Sequence, residues 1–165
     1  MKIKKLIVLL LLLLPTYIFG DNRIIISKQR LQLYVVNEAQ DTIFQCPVAC
    51  GMYYGNKKRA GDHKTPEGTF KIKIMYDASS WKYDFKDGKG PRVGAYGPYF
   101  FRLNVPGFND IGIHGTIFPE SIGTRSSRGC IRLRNEDIKK LYPLCRVGMT
   151  VVIEKDEVKE EEQGK

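Results

Sequence analysis

Apolar and polar residues alternate along much of the chain, and this alternation predicts strands. Residues 70–75 read FKIKIM, which has the period of two expected for a strand with one face toward solvent. Between residues 23 and 50, the stretches RIIIS, RLQLYVV and TIFQCPVA are rich in strand-forming residues, and the polar turn at residues 37–41 predicts a hairpin. Further along the chain, FFRLNV, DIGIH and MTVVIE are also strand-like.

One helix and one long loop complete this pattern. Residues 134–141 predict the only convincing helix, with Asn135 as the N-cap, acidic residues in the first turn and Pro143 as the stop signal. Residues 77–99 show neither period and predict a long surface loop. About seven strands against one or two short helices indicate a mainly β fold of the α+β class, as a sandwich or a partly closed barrel.

The two ends of the chain differ from the middle. Residues 1–20 begin with lysines, continue with an apolar run and then a proline, which is typical of an export signal. The apolar run is shorter than the roughly 20 residues of a bilayer span, although an uncleaved anchor stays open. We therefore expect a single exported domain at residues 21–155, in the periplasm or cell envelope, and a charged, disordered tail at residues 156–165.

Charge and cysteine content narrow the classes of partner. The formal net charge of +9 suits nucleic acid, an anionic membrane surface or an acidic wall polymer as a partner. The export signal and the acidic tail argue against nucleic acid.

The cysteines first suggest disulfides, but strand geometry argues against the pair nearest in sequence. Cys46 and Cys50 in one continuous strand would lie about 13 Å apart, which is too far for a disulfide, unless Pro47 bends the segment. We expect both of them, and Cys145, to be small buried residues.

Candidate chemistry concentrates between His114 and Cys130. A thiol is a useful nucleophile only as the thiolate, so its pKa has to be lowered by a base or a cation. His114 can serve as that base, and the nearby cations are Arg125, Arg128 and Arg132.

The residues next to Cys130 suggest how the charge that develops during attack on a carbonyl would be stabilised. Attack on a carbonyl builds an oxyanion, which backbone N–H groups stabilise where the chain makes a sharp turn. Gly129 permits such a turn, so the backbone N–H groups of Arg128, Gly129 and Cys130 are the candidate oxyanion hole.

Several separated motifs resemble those of the YkuD-type L,D-transpeptidase catalytic domain. The motifs are HGT at 114–116, SIG at 121–123, SRGCIR at 127–132, TPEGTF at 65–70 and GAYGPY at 94–99. They occur in the family's order, and the resemblance extends over nearly all of residues 23 to 154. It implies the family's catalytic fold with mixed strands, a monomer and no metal or other cofactor.

The resemblance also implies a reaction on peptidoglycan stem peptides. Cys130 would attack the carbonyl that follows the third residue of a tetrapeptide stem, expel the terminal D-alanine and form a thioester. An amine from a neighbouring stem would then take the acyl group to give a 3→3 crosslink, with His114 shuttling protons in both halves. The residues expected to orient the site or bind substrate are Arg132, Ser127, Gly115, Thr116 and Tyr96.

Some alternatives stay open at this point. Many family members carry a histidine at the position of Arg128, so no role of that histidine is carried over to this chain. The same site with water as acceptor would be an L,D-carboxypeptidase or an endopeptidase, and a site without turnover would be a wall-binding module. His63, the other histidine, is interpreted as a solvated turn residue, and the histidines and cysteines lack the spacing of zinc ligands.

Overall fold

The computed structural model describes residues 22–157, which form twelve strands, one α-helix and two short 3-10 turns. The predicted export signal lies outside the described residues, as do residues 158–165 of the predicted tail. The elements are β1 (Arg23–Ser27), β2 (Gln32–Val36), β3 (Thr42–Pro47), β4 (Cys50–Gly51), β5 (Gly68–Asp77), β6 (Lys82–Asp84), β7 (Pro91–Val93), β8 (Tyr99–Leu103), β9 (Gly112–His114), β10 (Arg125–Ser127), β11 (Ile131–Arg132), α1 (Asn135–Leu141) and β12 (Thr150–Ile153).

Eight strands form one mixed sheet in the order β11-β9-β8-β5-β12-β1-β2-β3. The β1–β12 and β9–β11 pairs are parallel, and the other neighbours are antiparallel. Strand β5 joins the two halves, because its first residues pair with β12 and its later ones with β8 across an irregularity between Ile72 and Ile74. Such irregularities bend a strand, and the sheet curls into a half-barrel. The predicted mainly β fold with mixed strands is confirmed.

The apolar residues of the strands and of the helix share one core. Ile24 of β1 and Ile138 and Leu141 of α1 are fully buried in it. Burying a side chain of this size contributes roughly 1.5–3 kcal/mol relative to leaving it exposed. Ile113 of β9 and Ile131 of β11 belong to the same cluster, so the core fixes the two strands that flank the candidate site.

The helix begins one residue later than predicted and is capped differently. Arg134 is the N-cap, and no side chain caps the first turn. The Asn135 Oδ1 atom instead accepts the Thr116 backbone N–H at 2.9 Å, so the prediction of Asn135 as the N-cap is wrong. Among the described residues no helix is both long enough and apolar enough to cross a membrane.

The predicted long loop at residues 77–99 contains a hairpin. Strands β6 and β7 pair antiparallel with each other and form a separate two-stranded sheet. Aromatic contacts attach this hairpin to the rest of the domain, since the rings of Tyr83 and Tyr96 lie 5.9 Å apart and those of Phe85 and Phe118 lie 5.0 Å apart. The prediction of a loop without regular structure is therefore wrong.

The predicted tail also begins too early. Asp156 places a fully buried carboxylate 2.9 Å from Lys28 Nζ and next to the Arg125 guanidinium. Lys28 is itself buried and forms a second ion pair of 2.7 Å with Glu67. A buried lysine requires such partners, so Asp156 belongs to the folded domain and not to a disordered tail.

The four cysteines are free, as the strand geometry predicted for Cys46 and Cys50. These two are buried, and burial raises the pKa of each thiol to about 12. Cys145 is half-buried, and burial likewise raises its pKa to about 12. These three thiols are therefore protonated at neutral pH.

Candidate active site

The parallel pairing of β9 with β11 brings His114 and Cys130 into one cleft. Ile131 pairs with Ile113, and Arg132 pairs with His114. Cys130, the residue immediately before β11, therefore lies beside the strand that carries the histidine. The cleft has a volume of about 200 Å³ and contains both residues. The cleft is also lined by Tyr83, Phe85, Tyr96, Thr116, Phe118 and Arg132.

The His114 imidazole is fixed in one orientation. Its Nδ1 atom lies 2.5 Å from the Gly115 carbonyl oxygen, and because a carbonyl only accepts, Nδ1 carries the proton and Nε2 keeps its lone pair. The Phe100 ring stacks on the imidazole at 5.3 Å, and the Tyr96 ring meets its edge at 5.1 Å. Burial lowers the pKa of His114 to about 4, so the imidazole is a neutral base at neutral pH.

Cys130 is a neutral thiol in the free protein. Its Sγ atom donates to the Asp110 carbonyl at 3.2 Å. Burial raises the pKa of Cys130 to about 11, although a backbone hydrogen bond from Gly112 and the charge of Arg132 act in the opposite direction. The sequence-based expectation of a thiol with a lowered pKa is therefore wrong, because desolvation outweighs the nearby cations.

Two of the three arginines expected near the thiol have other partners. The Arg125 guanidinium binds the Lys28 carbonyl at 3.0 Å as well as Asp156. Arg128 is exposed and donates to the Tyr83 hydroxyl at 2.9 Å. Arg128 and Arg132 both line the cleft, and of the three arginines Arg132 is the one whose charge acts on the Cys130 thiol. Burial lowers the pKa of Arg132.

Ser127 organises the turn that carries Cys130. Its Oγ atom donates to the Cys130 carbonyl at 2.6 Å and accepts the Gly129 N–H at 3.0 Å. Gly129 has a φ of +133°, which favours glycine. Because the Gly129 N–H is already bonded inside the turn, the structure argues against it as an oxyanion donor and leaves the N–H groups of Arg128 and Cys130.

Asn135 supports the HGT segment from behind, a role that the sequence did not reveal. Besides binding the Thr116 N–H, its Oδ1 atom occupies the space where a Cβ atom at Gly97 or Gly115 would lie. A Cβ at Gly97 would also come within 2.6 Å of the Gly115 Cα atom. The close approach of the two glycines therefore places the carbonyl that holds His114, and only glycine fits at both positions.

The fold and this geometry can be compared with known proteins. A family model described as the L,D-transpeptidase catalytic domain, YkuD, matches residues 21–153. The chain belongs to this family. The probable L,D-transpeptidase YbiS of Escherichia coli (strain K12) is 32% identical over 140 residues, which cover 78% of this chain and 43% of the relative. The chain thus spans less than half of the length of that relative.

Two solved structures illustrate how far the fold is shared. The NMR structure of the catalytic domain of the E. faecium L,D-transpeptidase aligns with a TM-score of 0.58 and 20% identity, covering 81% of this chain and 97% of that domain. The helical cell shape determining protein Pgp2 of Campylobacter jejuni aligns with a TM-score of 0.61 and 24% identity, covering 84% of this chain and 49% of Pgp2. At these identities the likeness shows the fold of a YkuD catalytic domain.

Proposed function

We propose that this chain is a cysteine L,D-transpeptidase that joins peptidoglycan stem peptides through a thioester on Cys130. The observation that carries the proposal is the shared cleft of Cys130 and His114, with the imidazole held by the Gly115 carbonyl. Family membership supports action on peptidoglycan peptides in the cell envelope. The export signal predicted at residues 1–20 agrees with that location.

In the first half-reaction, His114 Nε2 takes the Cys130 thiol proton as Sγ attacks the stem carbonyl. The two groups start neutral, so proton transfer accompanies attack and does not precede it. The developing oxyanion accepts hydrogen bonds from the N–H groups of Arg128 and Cys130. The carbon–nitrogen bond then breaks, the D-alanine amine takes the proton from His114, and the acyl group remains as a thioester.

In the second half-reaction, an amine from another stem attacks the thioester carbonyl. His114 accepts the amine proton and returns it to Sγ as the carbon–sulfur bond breaks, which restores the thiol and leaves a 3→3 crosslink. Arg132 is proposed to bind a substrate carboxylate, because a guanidinium at the cleft wall suits a two-point contact with a carboxylate. Thr116 and Tyr96 line the same cleft and are proposed to contact the stem.

The test is product analysis by mass spectrometry after incubation with disaccharide-tetrapeptide. A crosslinked dimer with release of D-alanine supports transpeptidation, whereas tripeptide alone would identify an L,D-carboxypeptidase. Binding without any product would identify a wall-binding module. Cys130→Ala is the inactive control. A role in cell shape, proposed by analogy with the Campylobacter protein, is tested by microscopy and muropeptide analysis of a deletion strain.

A further inference from the structure

Thr65 opens the TPEG segment, and its hydroxyl lies directly behind the turn that carries Cys130. The residue is 1% exposed. Its Oγ1 atom accepts the Gly51 N–H at 2.8 Å and contacts the Gly129 carbonyl oxygen at 2.9 Å. A hydroxyl has one proton to donate, and only the carbonyl can accept it here. The chain of hydrogen bonds therefore runs from Gly51 through Thr65 to Gly129.

This hydrogen bond acts on the peptide group that joins Gly129 to Cys130. A trans peptide is planar, and its C=O and N–H bonds point in opposite directions. Holding the Gly129 carbonyl therefore also fixes the direction of the Cys130 N–H. A hydrogen bond donated to the carbonyl further polarises the peptide and makes its N–H a stronger donor.

The hydrogen bonds that Ser127 makes in the turn act on the neighbouring peptide groups, whereas that of Thr65 acts on the Gly129–Cys130 peptide group. Ser127 binds the Gly129 N–H and the Cys130 carbonyl, which belong to the peptide groups on either side of the one in question. The contact is also close, because a Cβ atom at Gly129 would lie 2.9 Å from the Lys64 carbonyl oxygen. The turn that carries Cys130 is therefore packed directly against residues 64 and 65.

We propose that Thr65 is a positioning residue for the oxyanion hole, acting through the Gly129 carbonyl on the Cys130 N–H. The inference rests on the proposed function, because it assumes that an oxyanion forms beside Cys130. It assigns a role in catalysis to a hydroxyl that touches neither the substrate nor the thiol. This role differs from a purely structural one in what it predicts. A change at Thr65 should slow the reactions that form an oxyanion and leave other reactions of the Cys130 thiol nearly unaffected.

The experiment compares two reactions of the same thiol in the full chain. Acylation by a carbapenem passes through an oxyanion, whereas alkylation by iodoacetamide does not. Removing a whole oxyanion donor costs roughly 10²–10³ in rate, so misdirecting one by Thr65→Val is expected to slow acylation about 10- to 100-fold. Alkylation of Cys130 is expected to change less than about threefold, because displacement at carbon builds no charge for the oxyanion hole to stabilise. Thr65→Ser keeps the hydroxyl and is expected to restore the ratio of the two rates.

Two results would overturn the inference while leaving the proposed function intact: an unchanged ratio in Thr65→Val, or a parallel loss of both reactions that marks a purely structural role. A wild-type protein that is alkylated but never acylated would overturn the proposed function as well. Thr65→Val removes the partner of the buried Gly51 N–H and Gly129 carbonyl groups, which lowers the stability of the fold. If that variant does not fold, Thr65→Ala leaves room for a water molecule, and the same lowered ratio is expected.

Discussion

The strongest chemical prediction concerns the ionisation of Cys130 before substrate binds. Cysteine enzymes that store a thiolate beside a protonated histidine react with alkylating agents over a broad range of neutral pH. Here burial raises the pKa of the thiol to about 11 and lowers that of His114 to about 4. The stable pair in the free protein is therefore a thiol beside a neutral imidazole.

The magnitude follows from these two pKa values. At pH 7 a thiol with a pKa of about 11 is ionised to about one part in 10⁴. A free cysteine, with a pKa of about 8.5, is ionised to roughly 3% at the same pH, which is about 300-fold more. The greater nucleophilicity of a thiolate with a higher pKa offsets about tenfold of this difference. Iodoacetamide is thus expected to alkylate Cys130 at pH 7 on the order of 10- to 30-fold more slowly than free cysteine, with a rate that rises about tenfold per pH unit.

The assay measures the alkylation rate from pH 5 to pH 10 by peptide mapping, which separates Cys130 from Cys46, Cys50 and Cys145. A continuous rise without a plateau is expected, and His114→Ala is expected to give the same profile, because the neutral imidazole does not share the proton in the free protein. A plateau between about pH 5 and pH 9 in the wild type, lost in His114→Ala, would refute the reasoning by revealing a stored ion pair.

Three further predictions concern stability. Gly97→Ala is expected to reduce both stability and the rate of acylation, because the new Cβ would clash with the HGT segment. Gly61→Ala is the control, since Gly61 has a similarly positive φ but open space around it. Similar losses of both properties in the two variants would contradict the role of close approach. Asp156→Asn is expected to lower the free energy of unfolding by about 3–5 kcal/mol, because it leaves a buried lysine short of a partner. Asp84→Asn, which removes one member of an exposed ion pair, is expected to leave the free energy of unfolding nearly unchanged. Urea unfolding that gives equal values for the two variants would contradict the buried network. Because the pKa of His114 is lowered to about 4 in the folded state, the unfolded chain takes up the proton at a higher pH than the folded chain does, and the wild type loses stability as the pH falls from 6.5 to 4. In His114→Gln this acid-induced loss is expected to be smaller by roughly 3 kcal/mol. An unchanged loss would show that the imidazole is not buried in its neutral form.

The sequence predicted the elements whose pattern is local. The alternation at residues 70–75 lies within β5, and the motifs at HGT and SRGCIR identified the two residues that the cleft brings together. The sequence-based prediction missed the hairpin of β6 and β7. The strands of this hairpin are three residues long, pair with each other and lie among charged residues and glycines. Strands this short do not show a period.

The remaining errors concern side chains whose partners are distant in sequence. Asn135 has the residue type of an N-cap, but it serves a backbone amide 19 residues away. Asp156 stands in an acidic stretch that reads as solvated, yet it balances Lys28 from the first strand region. The engagement of the Gly129 N–H depends on the rotamer of Ser127, which no local pattern specifies.

The central claim is that Cys130 is the nucleophile, and trapping the acyl-enzyme tests it most directly. The full chain is mixed with disaccharide-tetrapeptide, quenched in acid, and measured by intact mass and peptide mapping. The expected result is a mass increase equal to the mass of the disaccharide-tetrapeptide minus that of D-alanine, located on the peptide that contains Cys130 and absent from Cys130→Ala. Acylation of another cysteine, or D-alanine release by Cys130→Ala at the wild-type rate, would contradict the claim.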